Sequence, residues 1–187
     1  ESMAKGLLTP IIFSAPESNI AFEPVLELLD LLAPAPNERT FTAIDPSGKE
    51  VTFDVSDASP LVAFIFKTRE DAYGKASYIR VFGGTLESDS RYWATTLNAE
   101  VRVGSIQVIK GKEAISVTKL HAGDVGAVVK LGDVATNDTL CLKSNHLKIA
   151  PVAQPHPITS VAIHPHTQSD MAKLSQSLTR LVAEDPT

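Results

Sequence analysis

The chain has 187 residues, 43% of them hydrophobic and 21% charged, with a formal net charge of −5, so it is long enough to bury a sizeable core. The negative total argues against a general nucleic-acid binder, and no apolar run reaches the roughly 18 residues of a membrane span. The single cysteine, Cys141, excludes an internal disulfide or thiolate metal cluster and fits a reducing cytoplasm.

Charge is unevenly distributed. Residues 1–60 sum to −7, residues 61–150 to +3 and residues 151–187 to −1, so the middle of the chain permits a phosphate-facing patch without demanding one. At the start, Glu1-Ser2 ahead of Met3 reads either as a tag remnant or as a start inside a longer protein. The apolar run 7–13 predicts a buried strand, with Pro10 suiting an edge or a strand start. Ser14-Ala15 follows as a turn. Ser18-Asn19 can cap a helix over about 20–32, which carries Ile20, Val25, Leu28, Leu29 and Leu32 on one stripe, and Pro34 and Pro36 end it.

From Thr40 the period changes to two. Residues 41–44 and 51–55 read as a hairpin about a Pro46-Ser47-Gly48 turn, residues 61–67 as a fuller buried strand, and residues 68–75 as a charged loop. Residues 77–82 alternate strictly, Ile79 and Val81 facing one way and Tyr78, Arg80 and Phe82 the other. Gly83-Gly84 then predicts a tight hairpin back through Thr85 and Leu86. Further strands are expected at 92–94, 101–109, 115–117, 125–131 and 139–142, divided by turns at Lys110-Gly111, Ala122-Gly123-Asp124 and Asn137-Asp138. Short strands at this spacing predict a mainly β chain forming a closed antiparallel barrel. Pro151, Pro155 and Pro157 mark a second linker. Beyond it, 159–163 reads as a strand and 171–183 as a helix capped by Ser169 or Asp170, with Met171, Leu174, Leu178, Leu181 and Val182 on one face.

Few residues suggest chemistry. His164 and His166 are spaced as a ligand pair but lack further ligands, and His121, His146 and His156 fall in loops where solvation is expected. No Gly-x-Ser-x-Gly elbow and no Gly-x-x-x-x-Gly-Lys-Ser/Thr phosphate cradle occurs. Arg80 stands out: its alternation turns it outward beside Tyr78 and toward Lys67, Arg69 and Lys75. A guanidinium there can fork onto phosphate or stack on a base. The competing reading is a surface ion pair with Glu70, Asp71 or Glu87.

Several motifs occur in a telling order. Gly74, Arg80-Val81, Gly84 and Leu86 stand at fixed spacing; residues 61–67 lie upstream and residues 120–128 downstream. Asn137-Asp138-Thr139-Leu140, Val161-Ala162-Ile163, Lys173-Leu174-Ser175-Gln176 and Glu184-Asp185-Pro186-Thr187 follow. Together, over 60–187, they resemble elongation factor G-like translational GTPases. The resemblance implies three pieces: 1–36 as the last βα unit of a GTPase domain, 37–153 as a closed β barrel of the translation-factor domain II type, and 154–187 as the first strand and helix of a ferredoxin-like domain III. It implies a non-catalytic, cytoplasmic segment that docks its GTPase on the ribosomal small subunit during translation elongation. The expected partners are small-subunit rRNA, the protein's own GTPase domain and domain III, with no membrane and no DNA. The candidate rRNA contacts are Lys67, Arg69, Lys75, Arg80, Gly83 and Gly84, and Ser14 and Ala15 match the element that closes over guanine. No cofactor or metal is expected for the segment itself, and GTP with Mg²⁺ for its parent.

Two departures from that pattern stand out: Thr95-Thr96-Leu97-Asn98-Ala99 replaces a basic stretch, and Asn137 replaces a glycine. Fewer positive charges imply weaker ribosome affinity, and the choice between the main translocation factor and a paralogue stays open. The alternative function is a protein–protein scaffold acting through the acidic first sixty residues and an exposed βα face.

Overall fold

The computed structural model describes residues 7–71, 74–165 and 167–185, and the chain divides into two compact units, residues 1–39 and 40–187. In the first unit, α1 (Phe22–Leu32) forms where the helical stripe predicts it, yet it buries no residue. Its cap differs from expectation. Ala21, in the left-handed region at φ 54°, precedes the helix, and Ser18 instead ends a single 3-10 turn, Pro16–Ser18. Residues 7–13 do not form the expected strand, because no described segment of this unit supplies a ladder partner beyond one Ala15–Ile20 bridge. Leu7, Leu8, Ile11 and Phe13 therefore remain exposed.

The second unit begins with the expected hairpin, β1 (Thr40–Ile44) against β2 (Glu50–Asp54). One carboxylate oxygen of Asp45 organises its turn, accepting from the Ser47 amide at 2.8 Å, the Ser47 hydroxyl at 2.6 Å and the Lys49 amide at 2.9 Å. Next come β3 (Val62–Asp71) and β4 (Gly74–Gly83), paired antiparallel along nearly their whole length. The charged stretch at 68–71 is thus strand rather than loop. Thr68 is buried between the exposed Lys67 and Arg69, as alternation in a strand requires.

The remaining strands are β5 (Leu86–Glu87), β6 (Arg91–Ala94), β7 (Ala99–Arg102), β8 (Ile106–Lys110), β9 (Glu113–Val117), β10 (Lys119–Leu120), β11 (Val125–Val129) and β12 (Thr139–Cys141). Six of them join β3 and β4 in one eight-stranded antiparallel sheet in the order β7-β6-β12-β3-β4-β11-β8-β9, while β5 pairs with β10. Two expectations fail here. The chain after Gly84 does not fold back on β4, since β5 takes β10 as its partner. The sheet is not a closed ladder either, because β7 and β9 end it without pairing to each other.

The sheet is nonetheless rolled. The expected strand over 101–109 breaks at Val103-Gly104-Ser105, and these three residues carry the chain from β7 at one end of the order to β8 near the other. Four peptide steps reach at most about 14 Å. In a flat sheet those two strands would lie six spacings, or about 29 Å, apart. Backbone bonds from Val103 to Ser90 at 2.9 Å and from Val129 to Ser105 at 3.1 Å tie the crossover to both sides.

Inside the roll, Ala63, Ile65, Ile79, Val81, Ile106, Val128 and Leu140 join Leu86 and Leu120 in one fully buried cluster. The alternate residues Val62, Phe64 and Phe82 face outward and are covered by Ala43 of β1 and by Leu147, with Phe41, Val51 and Phe53 around them. Both faces of β3 and β4 are therefore apolar at this end, each buried large side chain contributing roughly 1.5–3 kcal/mol. Asp57 fastens the neighbouring loop, accepting from the Ala122 amide at 2.8 Å and meeting His121 Nδ1 at 2.6 Å.

Beyond the sheet, Asn137 takes φ 73°, the left-handed conformation that suits the glycine it replaces. Its side chain does what glycine cannot: Nδ2 donates to the Val152 carbonyl at 3.2 Å, and Oδ1 accepts from the Val152 amide at 3.1 Å. Residues 159–163 form no strand. The helix α2 (Gln168–Glu184) starts earlier than predicted and is capped by Thr167, whose hydroxyl accepts from the Asp170 amide at 3.3 Å. It lies beside β3, with Met171, Leu181 and Val182 exposed.

Two stability measurements test this architecture. Gly84 sits at φ 68°, and an added Cβ would lie 2.7 Å from Leu61 Cα, so Gly84→Ala is expected to cost roughly 2–4 kcal/mol in urea unfolding with an unchanged slope. The Ala122 amide first, and His121 second, hold the Asp57 carboxyl below its ordinary value of 3.8. A depressed folded value contributes stability above the unfolded value and loses it as pH falls through the folded one. Asp57→Asn should therefore flatten the loss of stability below about pH 4.

Candidate functional site

The outward face of β3 and β4 changes character along its length. At the hairpin end it is covered; past Phe64 it opens. The transition is a bulge, a register shift between Ile65 and Lys67 against β4, which leaves Phe66 and Lys67 both exposed where strict alternation would have buried one of them. After it, Lys67 stands opposite Tyr78 and Arg69 opposite Ala76, on the same face as Arg80. Phe66 and Tyr78 form a tilted aromatic pair with centroids 6.3 Å apart. Phe64, Phe66, Arg80, Phe82 and Val125 line a shallow depression of about 320 Å³ beside them.

Arg80 occupies the seam between the covered and open regions. Its guanidinium lies 5.6 Å from the centroid of Phe41 and 5.2 Å from that of Phe82, within cation–π range of both. Its Nε is buried without an acceptor. Arg80 is thus half-buried, outward-facing and held by rings rather than by a carboxylate among the described contacts. The side chains of Glu70 and Asp71, two of the acidic partners weighed for it, lie outside the described residues.

The other predicted contacts separate from this group. Lys75 pairs with Glu70 across the ladder and shares the inward alternation of Ser77 and Ile79. Its Nζ donates to the carbonyls of Val134 at 2.6 Å and Gly132 at 3.2 Å, so its charge is engaged within the fold. Gly83 and Gly84 are buried beneath residues 59–61; a Cβ on Gly83 would lie 2.7 Å from the Pro60 carbonyl. Ser14 and Ala15 belong to the other unit, both exposed, with Ala15 bridged to Ile20.

The histidines divide likewise. His156 and His164 are exposed, and His166 lies outside the described residues. Among the described residues no three His, Cys, Asp or Glu side chains converge on a metal-sized site. His146 is not solvated as expected, but stacks on Trp93 with centroids 5.1 Å apart and planes 10° from parallel. Cys141 is buried and its thiol is pushed up to about 11, chiefly by that burial, which leaves it unreactive.

Phe66 and the Trp93–His146 pair are the residues that sequence reasoning missed. A bulge leaves no mark in the alternation until the partner register is known. The aromatic run Tyr92-Trp93 was a visible signal, but its histidine partner comes from a loop some fifty residues on.

Comparison with known proteins gives the two domain assignments. The family model for elongation factor G domain 2 matches residues 60–143, and that for elongation factor G domain III matches residues 154–187. A crystal structure of a protein from Thermus thermophilus is similar over 99% of this chain, with 28% identity and a TM-score of 0.76. This chain spans 26% of that protein's length.

The contrast between two lysines on the same pair of strands is measurable. Lys75→Met should lower unfolding stability by about 1–2 kcal/mol, since it strips a charged donor from two carbonyls. Lys67→Met, on the exposed face, should leave the urea midpoint nearly unchanged.

Proposed function

This chain is an elongation factor G-like segment, and on that premise we propose that the open face of β3 and β4 docks a translational GTPase on ribosomal small-subunit RNA. One observation carries the reading. The bulge places Phe66 and Lys67 together outward, in line with Tyr78, Arg69 and Arg80, so that aromatic faces and cations are interleaved on a flat strand surface. Such a surface suits RNA, whose phosphates take the lysine and arginines and whose unpaired bases take the rings. Arg80 lines the depression and is held by two rings and not by a carboxylate among the described contacts, so its guanidinium charge is left for a phosphate.

Within this reading the segment is a spacer rather than a catalyst. Domains 2 and III are the non-GTPase parts of the family, and this sequence holds no phosphate-cradling glycine loop with its lysine. GTP and Mg²⁺ would be held by residues of the parent's GTPase domain. The rolled sheet would carry the contact as a rigid body, set at a fixed distance from that domain, and a cytoplasmic location follows from the partner. Lys75, Gly83 and Gly84 would support this face from within.

The alternative scaffold reading is favoured by the exposed Leu7, Leu8, Ile11 and Phe13 of the first unit. Concentration-dependent self-association in a sizing experiment, without RNA retention, would select it.

Co-sedimentation with small ribosomal subunits over a salt series tests the docking face. Lys67→Glu with Arg69→Glu should weaken binding about tenfold or more and reduce the salt slope by about 1–2. These positions are preferred to Arg80, whose replacement also disturbs the rings of Phe41 and Phe82. Identical curves for wild type and the double variant would remove the assigned surface.

A further inference from the structure

A second aromatic site lies away from that face. Trp93 and His146 both line a depression of about 200 Å³, together with Asp45 of the β1–β2 turn, Asn98 and Lys148. The indole and imidazole are already stacked, and Lys143 Nζ stands 5.8 Å from the indole centroid. His146 Nε2 is buried without a hydrogen-bond partner, so the ring's position is set by the stack and not by a bond at that nitrogen. Asp45 uses one carboxylate oxygen to hold its own turn, which leaves the other for a ligand.

We infer that this depression takes one unpaired nucleobase of an RNA strand, with Lys143 and Lys148 serving the flanking phosphates. A planar heterocycle continues a two-ring stack as an aliphatic chain cannot. A depression of about 200 Å³ has room for a single base. Asp45 supplies an acceptor and Asn98 both donor and acceptor, as the mixed edge of a base requires. Two lysines beside a π surface are the combination that holds single-stranded nucleic acid with little sequence preference. The inference rests on the proposed RNA partner but uses a different surface, so one can fail without the other.

Trp93 is the only tryptophan of the chain, which makes its emission a reporter of this site alone. The protein is titrated with a short oligoadenylate and, in parallel, with an abasic ribose-phosphate strand of equal length and charge. The oligoadenylate should quench Trp93 saturably; the abasic strand should bind at least about tenfold more weakly and leave the emission unchanged. His146→Ala, which keeps the reporter, should weaken the oligoadenylate titration about tenfold. Trp93→Leu, confirmed folded by its urea midpoint, should do the same when binding is followed by a labelled strand. Equal titration by the two strands makes this a phosphate site and overturns the inference, as does saturable binding untouched by either substitution. Loss of small-subunit co-sedimentation in the Lys67 and Arg69 variant with oligoadenylate quenching intact supports both surfaces. Quenching with no effect of that variant keeps this inference and removes the other.

Discussion

Three residues impose the shape of the larger unit. Val103, Gly104 and Ser105 must join strands that stand first and seventh in an order of eight, and their reach is about half the width of the flat sheet they would have to cross. The sheet must therefore curl until β7 and β8 come within about 14 Å of each other. Gly104 suits the crossing, since a Cβ there would already lie 3.0 Å from the Val129 carbonyl. The crossing is held by a covalent link and by loop hydrogen bonds on either side, and no continuous ladder closes the sheet. This arrangement encloses a core and still leaves β9 as an edge.

Curling gives β3 and β4 their special position. Their inward residues fill the roll, and their outward residues at one end lie beneath the β1–β2 hairpin. The hairpin covers only part of the outer face, and the bulge at Phe66 begins where its cover ends. Arg80 at the boundary is half packing residue and half surface cation. Two phenyl rings restrict its guanidinium without neutralising it, which limits the entropy that a long side chain would lose on contact with an anion.

Much of this could be read in the chain, for physical reasons that also mark where reading failed. The alternation of Ile79 and Val81 against Tyr78, Arg80 and Phe82 is local and appears as predicted. Asn137 was visible as a stand-in for glycine, and its positive φ follows, but the pairing with Val152 depends on where a linker returns. The runs 7–13 and 159–163 have strand composition and no strand, because a strand is a property of two segments and neither run has a described partner. Charged residues at 68–71 suggested a loop, whereas β4 supplied a ladder that outweighed their composition. Lys75 shows the same limit for the site: its type pointed to an anion, and its position in the alternation turned it to backbone carbonyls within the fold.

The side chain of Asn137 bonds to both main-chain groups of Val152, so the strand-joining turn before β12 grips the polypeptide as it leaves the sheet. A glycine would supply the bend and let the outgoing segment swivel. With asparagine, two hydrogen bonds anchor the backbone at Val152 to that turn, so the outgoing segment starts from a point fixed on the sheet.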